Sequence, residues 1–122
     1  MWIKILLLVV FGGTVFLTGY WLHRTGSTYG TFVLAIHKVV ALIAMILIGA
    51  LLVAVNRDIG LSMTDIYLSA ATLILLIITM ASGGVISAVD KSPQWVLLLH
   101  RIIPYFASIA AGYCAYISFT KV

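Results

Sequence analysis

Four long apolar runs, separated only by short polar breaks, decide most of what this chain can become. They cover residues 3–22, 31–55, 63–89 and 93–119 of 122. A membrane-crossing helix needs about 20 mostly apolar residues, at about 1.5 Å rise across about 30 Å of hydrocarbon. All four runs are long enough. A soluble domain of this length cannot hide a sequence that is 64% hydrophobic and 8% charged. The expected fold class is therefore an all-α integral membrane protein, one four-transmembrane-helix unit with no soluble domain. The first run resembles a signal peptide in having Lys4 ahead of an apolar core. It is followed by "LTGYWLHR" and not by a small-x-small cleavage site, so an uncleaved span is expected.

The breaks are legible. "HRTGSTYG", "NRDIG" and "DKSPQ" separate successive spans. Connections this short make neighbours antiparallel, so the default is an up-down-up-down bundle. The termini and "NRDIG" then share one side, A, and the other two loops share side B. Ser62 followed by Asp65 predicts a capping box opening span three. Ser92 before Pro93 predicts an N-cap with proline at the first helical position of span four.

Charge and cysteine usage exclude some functions. The net charge of +4 comes from scattered cations with no basic stripe, so nucleic acid is not an expected partner. The lipid bilayer is. Cys114 is the only cysteine and reads as a small buried residue. There is no glutamate, and Asp58, Asp65 and Asp90 fall at loops or helix ends, with no acid deep in a span. A small four-helix transporter of the multidrug-exporter type depends on a membrane-embedded glutamate, which this chain lacks.

Two short stretches echo each other. "LAIHKVVAL" spans residues 34–42, and "LLLHRIIPY" begins 63 residues later. Each places His, then a cation, then two β-branched residues inside a long apolar run. The halves of the chain thus read as two related hairpins with a pseudo-twofold along the membrane normal. His37 and His100 both lie about 9–12 Å in from side B. They sit on parallel helices, diagonal in a square bundle at about 11–14 Å. That gap suits two inward imidazoles with one metal between them, and iron in a haem plane fits the description. Bundles build cofactor sites in this way. Zinc would ask for four ligands, which are not available at that level.

The surroundings follow the same logic. Gly30, Val33, Leu34 and Ala41 share the His37 face, and Val96, Leu97, Pro104, Ala107 and Ala111 share that of His100. At matching depth on the other spans lie Val15 and Phe16, then residues 81–84. Gly12, Gly13, Gly83 and Gly84 cluster near that level and would let a ring edge approach the backbone. Lys38 and Arg101 follow the histidines and could reach haem propionates or lipid phosphates by snorkelling. Pro104 should kink span four just past His100. Met80 is near the right depth but ranks below the histidines as a ligand. His23, beside Arg24, reads as interfacial. Trp2, Tyr20, Trp21, Tyr29 and Trp95 read as interface anchors.

With four spans, "IHK" and "LHR", the chain resembles the small four-helix membrane b-type cytochromes, the cytochrome b561-like group. The resemblance implies one haem b, with His37 and His100 as axial ligands, passing one electron at a time. It implies an electron carrier or redox subunit more than a stand-alone enzyme. Quinone or a partner redox protein would be its counterpart. Homo-oligomerisation or membership of a larger complex is compatible with it, and a prokaryotic cytoplasmic (inner) membrane is the expected location. Two-haem members have a second histidine pair near the opposite face; here side A has none. The alternatives are a small four-helix transporter, weakened by the missing glutamate, and a non-redox accessory subunit of a larger membrane complex, since spans one and four are rich in small residues that allow close packing.

Overall fold

The computed structural model describes residues 2–25 and 31–120, the side chain of residue 118 excepted. Gly30, expected on the His37 face, and Tyr29, expected as an interface anchor, lie outside the described residues. The protein is all-α: α1 (Trp2–Thr25), α2 (Thr31–Ile59), α3 (Met63–Ala88) and α4 (Gln94–Thr120). Each helix is long and apolar enough to cross a membrane. The chain divides into two compact units, residues 1–48 and 49–122, and the division falls inside α2.

The helix limits depart from the apolar runs in instructive ways. The α2 helix continues one turn past residue 55, taking in Asn56, Arg57, Asp58 and Ile59. Polar residues continue a helix readily, so hydropathy marks the apolar boundary and not the helical one. What stops α2 is Gly60, at φ +72°, with its N–H donated to the Asn56 carbonyl at 3.1 Å. This is the left-handed glycine terminus that costs other residues steric strain. The Asn56 side chain accepts from the Leu61 N–H at 3.1 Å, which holds the turn closed.

The capping box is present. Asp65 N–H donates to Ser62 Oγ at 3.2 Å, and the Asp65 carboxylate accepts from Ser62 N–H at 3.3 Å and Ser62 Oγ at 2.6 Å. Asp65 lies at a helix end, as expected, yet it is buried within the protein, at 4% exposure. Its burial is tolerated because the carboxylate is committed to the helix start. At α4 the expected cap shifts by one residue. The Pro93 carbonyl accepts from Val96 and Leu97 N–H at 3.1 and 3.3 Å, and the helix begins at Gln94. Ser92 Oγ instead donates to the Ile86 carbonyl at 3.5 Å.

In the second unit, α3 and α4 pack along a seam of small side chains. Ser69, Thr72, Ser82, Val96, Ala107 and Cys114 are buried. Spacings of three, four and seven residues keep one stripe of a helix facing its partner, as in left-handed helix pairs. Cys114 Sγ sits 3.7 Å from Thr72 Oγ1 and 3.9 Å from Ser69 Oγ. With no water in hydrocarbon, hydroxyls must find protein acceptors. Thr72 donates to Leu68 O and Thr79 to Leu75 O, both at 2.8 Å. Among the described residues, no buried side-chain nitrogen or oxygen lacks a partner.

Candidate functional site: two clamped histidines

Each unit holds one part-buried histidine from the echoed pair, in the same kind of clamp. In the first unit, His37 of α2 meets α1 at Thr18 and Gly19. His37 Nδ1 lies 2.9 Å from Thr18 Oγ1. The Thr18 hydroxyl has carbonyls to donate to, Thr14 O at 2.8 Å and Val15 O at 3.1 Å, and these claim its one hydrogen. Its oxygen is therefore the acceptor toward the ring, and Nδ1 carries the proton. A Cβ added at Gly19 would come within 3.2 Å of His37 Cε1.

In the second unit, His100 of α4 meets α3 at Thr79, Ser82 and Gly83. His100 Nδ1 is 2.9 Å from the Thr79 carbonyl oxygen and 3.0 Å from Ser82 Oγ. A carbonyl can only accept, so Nδ1 again donates. Ser82 Oγ donates to the same Thr79 carbonyl at 2.9 Å. A Cβ at Gly83 would fall 2.7 Å from His100 Cε1 and 3.3 Å from Nδ1. Glycine is required there because the ring lies directly over the α3 backbone.

These partners assign the proton of both neutral rings to Nδ1, which puts the lone pair on Nε2. A metal-binding histidine takes this form when it ligates through Nε2, its other nitrogen oriented by a carbonyl, carboxylate or water. Each histidine holds the same place in its own helix: His37 lies six residues after Thr31 and His100 six after Gln94.

The other expected site residues divide. Gly83 is brought to His100. Gly13 and Gly84 are not brought against a neighbour: an added Cβ at either meets nothing within 4 Å, and Gly12 is the same. Lys38 and Arg101 are exposed, each following its histidine by one position. Residues 81–84 are at the level that meets His100, as expected, whereas α1 meets His37 about one turn beyond Val15 and Phe16. Pro104 lies inside α4, which continues through it. His23 is exposed in the last turn of α1. Beside it, Arg24 stands 5.9 Å over the Tyr20 ring. Among the described residues no three His, Cys, Asp or Glu side chains gather as a metal cluster.

Hydropathy and histidine depth do not point to Thr18, Gly19 or Thr79, and they place Ser82 at the right level without marking it as a hydrogen-bond partner. A subtler signal does. "TG" at residues 18–19 and "SG" at 82–83 repeat at almost the spacing of "HK" and "HR". No protein-family model matches this chain, and neither the curated proteins nor the solved structures include a significant match.

Proposed function

We propose that this chain is a small membrane electron-transfer protein that holds one haem b, with His37 and His100 as its axial ligands. The supporting observation is the duplicated clamp. Two histidines from two echoed segments each donate Nδ1–H to a neighbouring helix, which leaves Nε2 as the basic nitrogen in both. The donor set fits iron in a porphyrin: two neutral imidazoles, one from each half of the chain. Bound there, haem iron would alternate between ferric and ferrous and so carry one electron.

The protein's own contribution is to hold the rings. Thr18 and the Thr79 carbonyl orient the tautomers, with Ser82 as a second partner of His100, and Gly19 and Gly83 give the rings room against the backbone. Lys38 and Arg101 would meet the propionates from the side-B ends of α2 and α4. The four helices would close as an up-down-up-down bundle. With no histidine toward side A, the chain exchanges electrons on side B or serves as one station in a larger complex, with a quinone or a partner redox protein as counterpart. The chain is a carrier or redox subunit, and its membrane is a prokaryotic cytoplasmic one.

The histidines themselves test this. Purified His37→Ala and His100→Ala should each lose the low-spin, six-coordinate spectrum. A variant that keeps that spectrum in full removes its histidine from the site.

A further inference from the structure

Thr18 and Ser82 do more than fill space beside the histidines. Resting on the haem reading of the site, we infer that these two hydroxyls are positioning residues that set its ferric-to-ferrous balance by polarising the Nδ1–H bonds of the ligands.

The hydrogen-bond order carries the inference. Thr18 Oγ1 accepts from His37 while donating to the Thr14 carbonyl at 2.8 Å. Ser82 Oγ lies 3.0 Å from His100 Nδ1 while donating to the Thr79 carbonyl at 2.9 Å. A hydroxyl whose own hydrogen is already donated is a stronger acceptor, because chained hydrogen bonds polarise one another. Hydrocarbon supplies no water to compete. The carbonyls at Thr14 and Thr79 anchor these chains in the backbone of α1 and α3.

A polarised Nδ1–H makes the ring more imidazolate-like and raises electron donation from Nε2 to a metal. Ferric iron gains more from that donation than ferrous iron. Both hydroxyls therefore favour the oxidised state, and removing either should raise the midpoint potential. Ser82→Ala leaves the Thr79 carbonyl on His100, so this clamp is weakened and not abolished.

The test uses the full chain in detergent, with two readouts. First, nitrogen-15 NMR of the haem-free protein, labelled at histidine, reads the tautomers directly. Both rings should be Nδ1–H in the wild type, with an Nε2–H population emerging for His37 in Thr18→Val. Second, redox titration of the haem-loaded protein should show Thr18→Val and Ser82→Ala each shifted upward. A tenfold loss of ferric preference is about 59 mV for one electron. Thr18→Ser and Ser82→Thr should restore the wild-type value, which loss of packing alone would not explain.

An Nε2–H tautomer for either ring in the wild type overturns the inference without needing any variant to fold. An unchanged midpoint in both variants, with haem retained, also overturns it while leaving haem binding intact. If the wild type takes up no haem, the proposed function fails, and with it the assignment of Thr18 and Ser82 to a redox balance; the tautomers then report a structural clamp alone.

Discussion

The two histidine hairpins share a clamp but not a packing environment. In the His100 hairpin, α3 and α4 are joined by a seam in which Thr72 and Ala107 are almost fully buried, at 0% and 1% exposure. Around His37, α1 contributes no buried residue at all. Its inter-helix bond to His37 is made by Thr18, one of a set of threonines otherwise bonded within α1. A device that served only to hold helices together would be expected where packing is weakest. Here a hydroxyl on Nδ1 and a glycine under the ring recur in both settings. The duplicated element is thus the orientation of the imidazole, and the packing around it varies.

Substitutions under the rings should separate these roles, with the largest effect at the histidines. After them come the two glycines. Gly83→Ala puts a methyl 2.7 Å from His100 Cε1. The ring must move or α3 must shift, at about 1–3 kcal/mol. Gly19→Ala, with a 3.2 Å approach, should cost less. Thermal unfolding with haem quantification would rank them, and equal costs would erase the difference between the two clamps. Gly13→Ala and Gly84→Ala meet open space within the protein. Alanine there should leave stability unchanged or raise it by about 0.5–1 kcal/mol. Falling haem retention without falling stability would mark a ring edge beside those positions.

The packing difference has its own probe. Ala107→Leu overfills the α3–α4 seam and should destabilise by about 1–3 kcal/mol. Val9→Leu, on exposed α1, should stay within about 0.5 kcal/mol. A comparable loss at Val9 would mean that α1 has a packed face after all. Smaller again is the charge effect. Lys38→Gln with Arg101→Gln should move the midpoint potential and keep the haem; an unmoved potential assigns both cations to lipid phosphates. Smallest for the site is the α3 cap. Ser62→Ala should cost about 1 kcal/mol of stability and leave any haem spectrum unchanged.

The helices are legible because hydropathy and capping chemistry are local. Four apolar runs become four helices, and Ser62 with Asp65 marks the start of α3. The end of α2 is not legible from hydropathy, because Asn56 to Ile59 are helical without being uniformly apolar. It is readable from Gly60, whose positive φ terminates the helix. The shift at Pro93 reflects how finely a cap depends on backbone angles, which composition does not record. At the site, the histidines stand out because a polar ring in an apolar run is costly. Thr18 and Ser82 do not, because a hydroxyl in a membrane helix commonly satisfies itself on a carbonyl three or four residues back. Both bond their own helix as well as the ring, so their second role emerges only when two helices are placed together. Gly83 stands out by its depth, and its neighbour proves to be the His100 ring.

One haem held by two histidines is checked most simply by the optical spectrum of the detergent-purified protein. It should be recorded oxidised and dithionite-reduced, with haem quantified per chain. Sharp low-spin b-type bands should appear on reduction, at one haem per chain. A colourless protein that also fails to take up added haem would refute the assignment, and would leave the two clamps as structural fastenings of their hairpins.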